Sequence, residues 1–150
     1  MDIPILFLKT VLLRPYVFFF LAVSLVAASR FLGWKRTWVM FGITWATAFV
    51  CEFLSTRIGF PFGDYFYTGS TVGEELYIFN IPFMDSLSFT FLLYASYCLA
   101  LWFVLPFQTS SSPLGRHFLL KSILSWPVIG LTCLLFMCID IVIDPVALQG

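Results

Sequence analysis

Charge is what this sequence has least of. Only 11% of its 150 residues are Asp, Glu, Lys or Arg, against roughly 25% in an average soluble domain. A soluble fold of this length has too little polar surface to coat a chain that is 61% hydrophobic. With a mean hydropathy of +0.98, the solvent that removes the difficulty is lipid. Basic and acidic residues balance at eight each, without the clustered Lys and Arg that phosphate binding needs, so nucleic acid is excluded as a partner. Histidine is nearly missing. The single His117, in a polar loop beside Arg116, excludes a histidine-rich metal site and a haem held by two histidines. The four cysteines, Cys51, Cys98, Cys133 and Cys138, form no CxxC pair and all lie in apolar segments. They read as small apolar helix residues rather than as disulfide partners or metal ligands. Internal repeats and low-complexity tracts are absent too.

What is present is a series of long apolar runs. Residues 15–34, 37–56, 82–105 and 118–143 each approach the roughly 20 residues that cross a ~30 Å hydrocarbon core. The first opens on Pro15, which a first helical turn tolerates; the last contains Pro127, expected to kink it. Residues 3–13 are apolar but short and interrupted by Lys9. They read as an interfacial or partly inserted helix rather than a cleaved signal peptide, since a basic start and a small-residue cleavage site are lacking. The predicted fold is therefore all-α. It is a polytopic membrane helix bundle, one transmembrane domain over residues 1–150, with about four transmembrane helices and a short N-terminal interfacial helix. Residues 33–36 form a tight basic link and residues 107–117 a polar loop. The 57–81 connection, rich in aromatics, glycines and acids, reads as an ordered cap or a re-entrant element lying on the membrane surface. Arg30, Lys35, Arg36, Arg116 and Lys121 lie on one side against Lys9, Arg14 and Arg57 on the other, which puts the two short links in the cytoplasm.

The acids are placed more sharply than the bases. Threading the spans up and down brings Glu52, Asp64, Glu74, Glu75, Asp85, Asp140 and Asp144 to one membrane face. Carboxylates within spans are unfavourable by about 2.5–3.5 kcal/mol at a helix centre and by less near the ends. Three spans carrying them at one level imply a shared polar pocket. Helical spacing agrees: Thr44, Ala48, Glu52 and Ser55 form one stripe, Ser86, Thr90, Tyr94 and Tyr97 a second, and Thr132, Phe136, Asp140 and Asp144 a third. Small and hydroxyl residues of this kind let helices approach closely in lipid. Plainer roles exist for several of the acids. Asp144 before Pro145 can end a helix, Asp85 can cap one, Glu52 can pair with Arg57, and Glu74 with Glu75 reads as a solvated loop pair. Asp140, in Cys-Ile-Asp-Ile-Val-Ile, is the hardest to explain structurally.

The run from Glu52 to Thr68, Glu-Phe-Leu-Ser-Thr-Arg-Ile-Gly-Phe-Pro-Phe-Gly-Asp-Tyr-Phe-Tyr-Thr, resembles the signature of the membrane carotenoid biosynthesis family. That family includes the CruF-type carotenoid hydratases, among them bisanhydrobacterioruberin hydratase. Ile81-Pro-Phe-Met-Asp-Ser-Leu-Ser-Phe and Asp140-Ile-Val-Ile-Asp-Pro145 resemble it as well, in the same order and at matching separations. The resemblance covers about Thr44 to Val146. Family members continue past the D-x-x-x-D-P segment with further membrane helices, so it implies either a truncated member or a short one, and in a short one a second copy would complete the pocket.

The resemblance implies an enzyme, a hydro-lyase that adds water to the terminal isoprene double bond of an acyclic carotenoid end group to give a tertiary alcohol. An unactivated alkene needs a strong acid, which a carboxyl group kept neutral by burial can supply. The tertiary cation then needs an electron-rich lining, as aromatic faces provide, and a second carboxylate to take a proton from water. No metal or redox cofactor is required. Glu52, Asp140 and Asp144 are the candidate acid and base, with Asp85 an orienting group. Phe60, Phe62, Tyr65 and Tyr67, with Tyr94 on the third span, are the candidate substrate-binding residues. The expected partners are the lipid bilayer, an acyclic carotenoid, and either a second copy or other carotenoid enzymes; the expected location is the bacterial cytoplasmic membrane, as a multi-pass protein. A lycopene-type cyclase, quenching the same cation by ring closure, stays open. So do a proton- or cation-coupled transporter subunit, against which the clustering of acids at one face counts, and a non-catalytic partner in a pigment-making complex.

Overall fold

The structure, a computed structural model, describes residues 3–104 and 125–147, with side chains as far as Ile143. The described residues form five helices: α1 (Ile3–Leu13), α2 (Pro15–Leu32), α3 (Trp34–Ile58), α4 (Phe83–Val104) and α5 (Trp126–Ala147). Helices α2, α3 and α4, with residues Trp126–Ile143 of α5, are long and apolar enough to cross a membrane. Large side chains such as Phe19, Trp38, Ile43 and Trp102 stand more than half exposed, as a lipid-facing surface allows and water does not. The chain is an all-α membrane protein.

The contacts group into two compact units, Met1–Phe91 and Leu92–Gly150. In the first, a single residue turns α2 into α3. Gly33, at φ +84°, donates its N–H to the Ser29 carbonyl, and its own carbonyl accepts from Thr37 N. The link expected over residues 33–36 is therefore Gly33 alone, and Trp34, Lys35 and Arg36 already belong to α3. The buried side chains of α3 are Thr37, Phe41, Ala48, Glu52 and Ser55, a stripe at helical spacing that carries the polar residues inward.

Helix α3 ends at Gly59, whose left-handed conformation (φ +70°) returns its N–H to the Ser55 carbonyl. The Asp64 carboxylate occupies the place where a Cβ on residue 59 would stand. Glycine is thus required twice, by the backbone angle and by the close approach. Gly59→Ala is expected to lower stability by at least about 1–2 kcal/mol, the left-handed penalty alone, measured by thermal unfolding in detergent. Asp64→Ala should relieve only the collision, so an unchanged midpoint in Gly59→Ala would refute this reading.

The 57–81 connection runs on from α3 as turns and irregular backbone. It closes with a short antiparallel hairpin, β1 (Tyr77–Ile78) and β2 (Ile81–Pro82), paired Tyr77 to Pro82 and Ile78 to Ile81. Its two turn residues, Phe79 and Asn80, both have positive φ (49° and 72°), as a two-residue hairpin of this hand demands. The Phe79 ring stands edge-on to Phe53 at 6.0 Å, which holds a bulky residue in a conformation it otherwise avoids. Helix α1 docks on the same segment through Thr10, which is fully buried: its hydroxyl donates to the Leu6 carbonyl (2.7 Å) and accepts the N–H of Leu76 (2.8 Å).

In the second unit the last turns of α4 pack on the first turns of α5, through Ala100, Leu101 and Val128 with Tyr97, Val104, Leu131 and Leu135 around them. Pro127 does not kink a helix interior. It sits in the first turn of α5, after a non-helical Ser125, where its missing N–H breaks no helical bond. The 107–117 loop, His117, and the expected start of the fourth span at residue 118 lie outside the described residues. The four cysteines are free.

Candidate functional site

The first unit gathers its polar groups where α3 ends and α4 begins. Glu52, only 3% exposed, accepts a hydrogen bond at Oε2 from the hydroxyl of Ser86 (2.7 Å). Ser86 is itself fully buried, so this pair ties α3 to α4 in an interior position. One turn beyond Glu52, the buried Ser55 accepts the N–H of Phe62 at Oγ (3.0 Å). Ser55 thereby fixes the G-F-P-F-G segment across the helix end, in the reversal that Gly59 allows.

Behind that segment come Tyr65 and Tyr67, their rings edge to face at 5.6 Å. The Tyr67 phenol is pushed well above its ordinary pKa, first by burial and then by the negative fields of Glu52 and Asp85, so it stays protonated across the physiological range. Tyr67, Glu52 and Asp85 are therefore near neighbours. Asp85 lies in the first turn of α4, where the helix dipole favours a carboxylate.

A second acidic residue of this unit is organised by α1 and α2. Glu75 is 2% exposed and accepts from the Arg14 Nε at 3.1 Å and from the Thr71 hydroxyl. That hydroxyl also meets the Tyr77 hydroxyl at 2.7 Å. The solvated Glu74–Glu75 pair expected from sequence is thus half wrong: Glu74 is exposed, but Glu75 is buried because a guanidinium 61 positions away reaches it. Burial opposes the charge on Arg14, but Glu75 and then Asp85 outweigh it and raise its pKa, so Arg14 stays a cation facing both carboxylates. Arg57 lies over the Phe53 ring, 3.7 Å from its centre.

The sequence-predicted residues thus fall into three groups. Glu52, Asp85, Tyr65 and Tyr67 are brought together. Phe60 and Phe62 are in the same segment, but they are 67% and 54% exposed. Tyr94 is buried on α4 and Asp140 half-buried on α5, both in the second unit. Asp144 is in α5, and its side chain lies outside the described residues. From sequence, Arg14 counted only towards orientation, Glu75 only as half of a solvated pair and Ser86 only as a member of a stripe, and Thr71 had no role.

Comparison with known proteins decides the family. The family model described as carotenoid biosynthesis protein matches residues 12–150. The chain belongs to the carotenoid biosynthesis protein family. No curated protein and no solved structure matches it. The family match spans the Glu52–Ser86 pair, the aromatic cap and both acids of α5. It also takes in Arg14 and Glu75, which join the cap to the N-terminal helices. Among the described residues no three His, Cys, Asp or Glu side chains converge as metal donors.

Proposed function

We propose that the chain hydrates the terminal isoprene double bond of an acyclic carotenoid, with Glu52 as the proton donor. The observation that carries this reading is the Glu52–Ser86 pair, buried between two apolar helices under a tyrosine-bearing cap. Glu52, protonated once the bound polyene has displaced water from it, gives its proton to the CH carbon of the end-group double bond, leaving a tertiary cation on the neighbouring carbon. The tyrosine faces stabilise that cation. Water adds to it, and a second carboxylate takes the surplus proton, so the net change is gain of one water. Asp85 is the second carboxylate that Tyr67 senses with Glu52, and the cationic Arg14 supports its negative charge. Asp140 and Asp144 are the further candidate carboxylates of this chain. The amide variants of all three, tested singly, identify which one takes the proton. The reaction calls for no cofactor.

A site at the end of two apolar helices suits the substrate. The polyene stays in lipid, while water reaches the carboxylates near the headgroups. We take α2 to α5 to cross the bacterial cytoplasmic membrane, and a second copy of the chain, or another carotenoid enzyme, to be the protein partner. Expression in lycopene-producing bacteria is expected to yield pigments heavier by one water per reacted end, read by mass spectrometry. A pigment of unchanged mass but altered retention would point to cyclisation instead, and no change in pigment would refute both.

A further inference from the structure

Between α2, α3 and α4, within the first unit, lies a cleft of about 410 Å³, a volume typical of small-molecule sites. Helix α2 supplies two leucines; α3 supplies Trp38, Phe41, Gly42 and Trp45; α4 supplies Phe83 and Thr90 among others. We propose that this cleft is the binding groove for the conjugated chain of an acyclic polyene, which it threads towards Glu52. The proposal rests on the hydration reading for the identity of the substrate class, and its test separates the two.

Two observations carry it. The first is alignment. Along α3 the cleft ends at Trp45, seven residues before Glu52, or about 10 Å of helix. On α4, Phe83 and Thr90 bracket Ser86, the partner of Glu52. A chain lying in the cleft therefore has its end directed at the buried pair. The second is shape. Trp45 stacks nearly parallel on Phe49 (interplanar 16°, 5.7 Å) and leans on Phe83 at 5.9 Å. Such broad flat walls match a planar conjugated chain better than a flexible saturated one.

Gly42 makes the groove testable. It lines the cleft, and a Cβ added there meets no atom within 4 Å. Leucine can therefore replace it without backbone strain, in a mid-helix position where glycine is the weaker helix former, and fill the groove. The probe is all-trans lycopene added to the full chain in detergent micelles, followed by tryptophan quenching and by pigment retained on gel filtration. Wild type is expected to bind lycopene and quench. Lycopane, the saturated analogue, and dioleoylphosphatidylcholine should displace it poorly. Gly42→Leu should bind at least about tenfold more weakly, the lower range of an overfilled site, and Trp45→Ala, which removes the flat wall, should bind less tightly than wild type. Displacement by lycopane as effective as by lycopene itself would overturn the proposal, showing a site for any apolar chain. Undiminished binding by Gly42→Leu would overturn it also. Wild type that binds lycopene through Gly42 and Trp45 but never hydrates it would retain the groove and refute the hydration. Hydration by Gly42→Leu at an unaltered KM would do the reverse.

Discussion

Glu52→Gln is expected to lower carotenoid turnover by about 10²–10⁴-fold, the usual contribution of a positioned general acid, while the protein remains folded. Glutamine has the shape of glutamate, and its carbonyl oxygen can still accept the Ser86 hydroxyl that now reaches Oε2 at 2.7 Å. The helix pair is therefore kept, and only the transferable proton is lost. Glu52→Ala is a different experiment. It opens a cavity at a position 3% exposed and leaves the fully buried Ser86 hydroxyl without its acceptor, which destabilises by about 1–3 kcal/mol for the unmet polar group alone. The informative comparison is pigment product per folded protein in the glutamine variant, with thermal unfolding alongside. Turnover at the wild-type rate in Glu52→Gln would remove Glu52 from the chemistry and leave the Ser86 bond as a purely structural link.

The parts of this site that sequence made legible are those that obey a period. Ala48, Glu52 and Ser55 are buried on α3, and Ser86, Thr90 and Tyr94 on α4, as their spacing required. A helix face is fixed by 3.6 residues per turn whatever its partner is. Hydropathy likewise sets which segments are helices able to cross a membrane, within a few residues for α2, α3 and α4, whereas the described helix of the fourth span begins at Trp126. The ends were less legible, because a single glycine in an unusual conformation can do the work of a loop. Gly33 turns α2 into α3 alone, so α3 begins at Trp34 rather than at Thr37. Pro127 misled for a related reason: a proline is equally at home in a kink and in a first turn, and only the non-helical Ser125 distinguishes them. The cap was not legible in its contacts. Phe60 and Phe62 share the motif with Tyr65 and Tyr67, yet face outward, since an irregular segment has no period from which to read a face. Glu75 was misread. Its burial depends on Arg14, from the other end of the unit, and no local pattern records so distant a pairing.

That distant pairing gives the largest expected effect on stability. Arg14→Met is expected to destabilise the first unit by about 3 kcal/mol, the lower end of the range for breaking a buried ion pair by removing one partner. The lower end applies because the Arg14 side chain keeps 26% exposure while that of Glu75 keeps 1%. Methionine retains most of the apolar stem of arginine, so the packing of the α1–α2 corner changes little. What is lost is the charge that faces Glu75, whose carboxylate is then left buried on the Thr71 hydroxyl. The cap should loosen with it. Residues 71–77 are held to the N-terminal helices by this pair, by Thr10 to Leu76 N, and by the bond from Lys9 to the Gly73 carbonyl at 3.3 Å. Hydrogen exchange in the cap is thus expected to rise along with the fall in unfolding midpoint. The double variant Arg14→Met/Glu75→Gln is expected to recover much of the stability, because the uncompensated charge goes with its partner. It should not recover turnover, since Arg14 also supports the charge of Asp85. An Arg14→Met protein as stable as wild type, with unaltered exchange in the cap, would show that Glu75 is satisfied without its cation. Recovery of both stability and turnover in the double variant would confine Arg14 to a structural role.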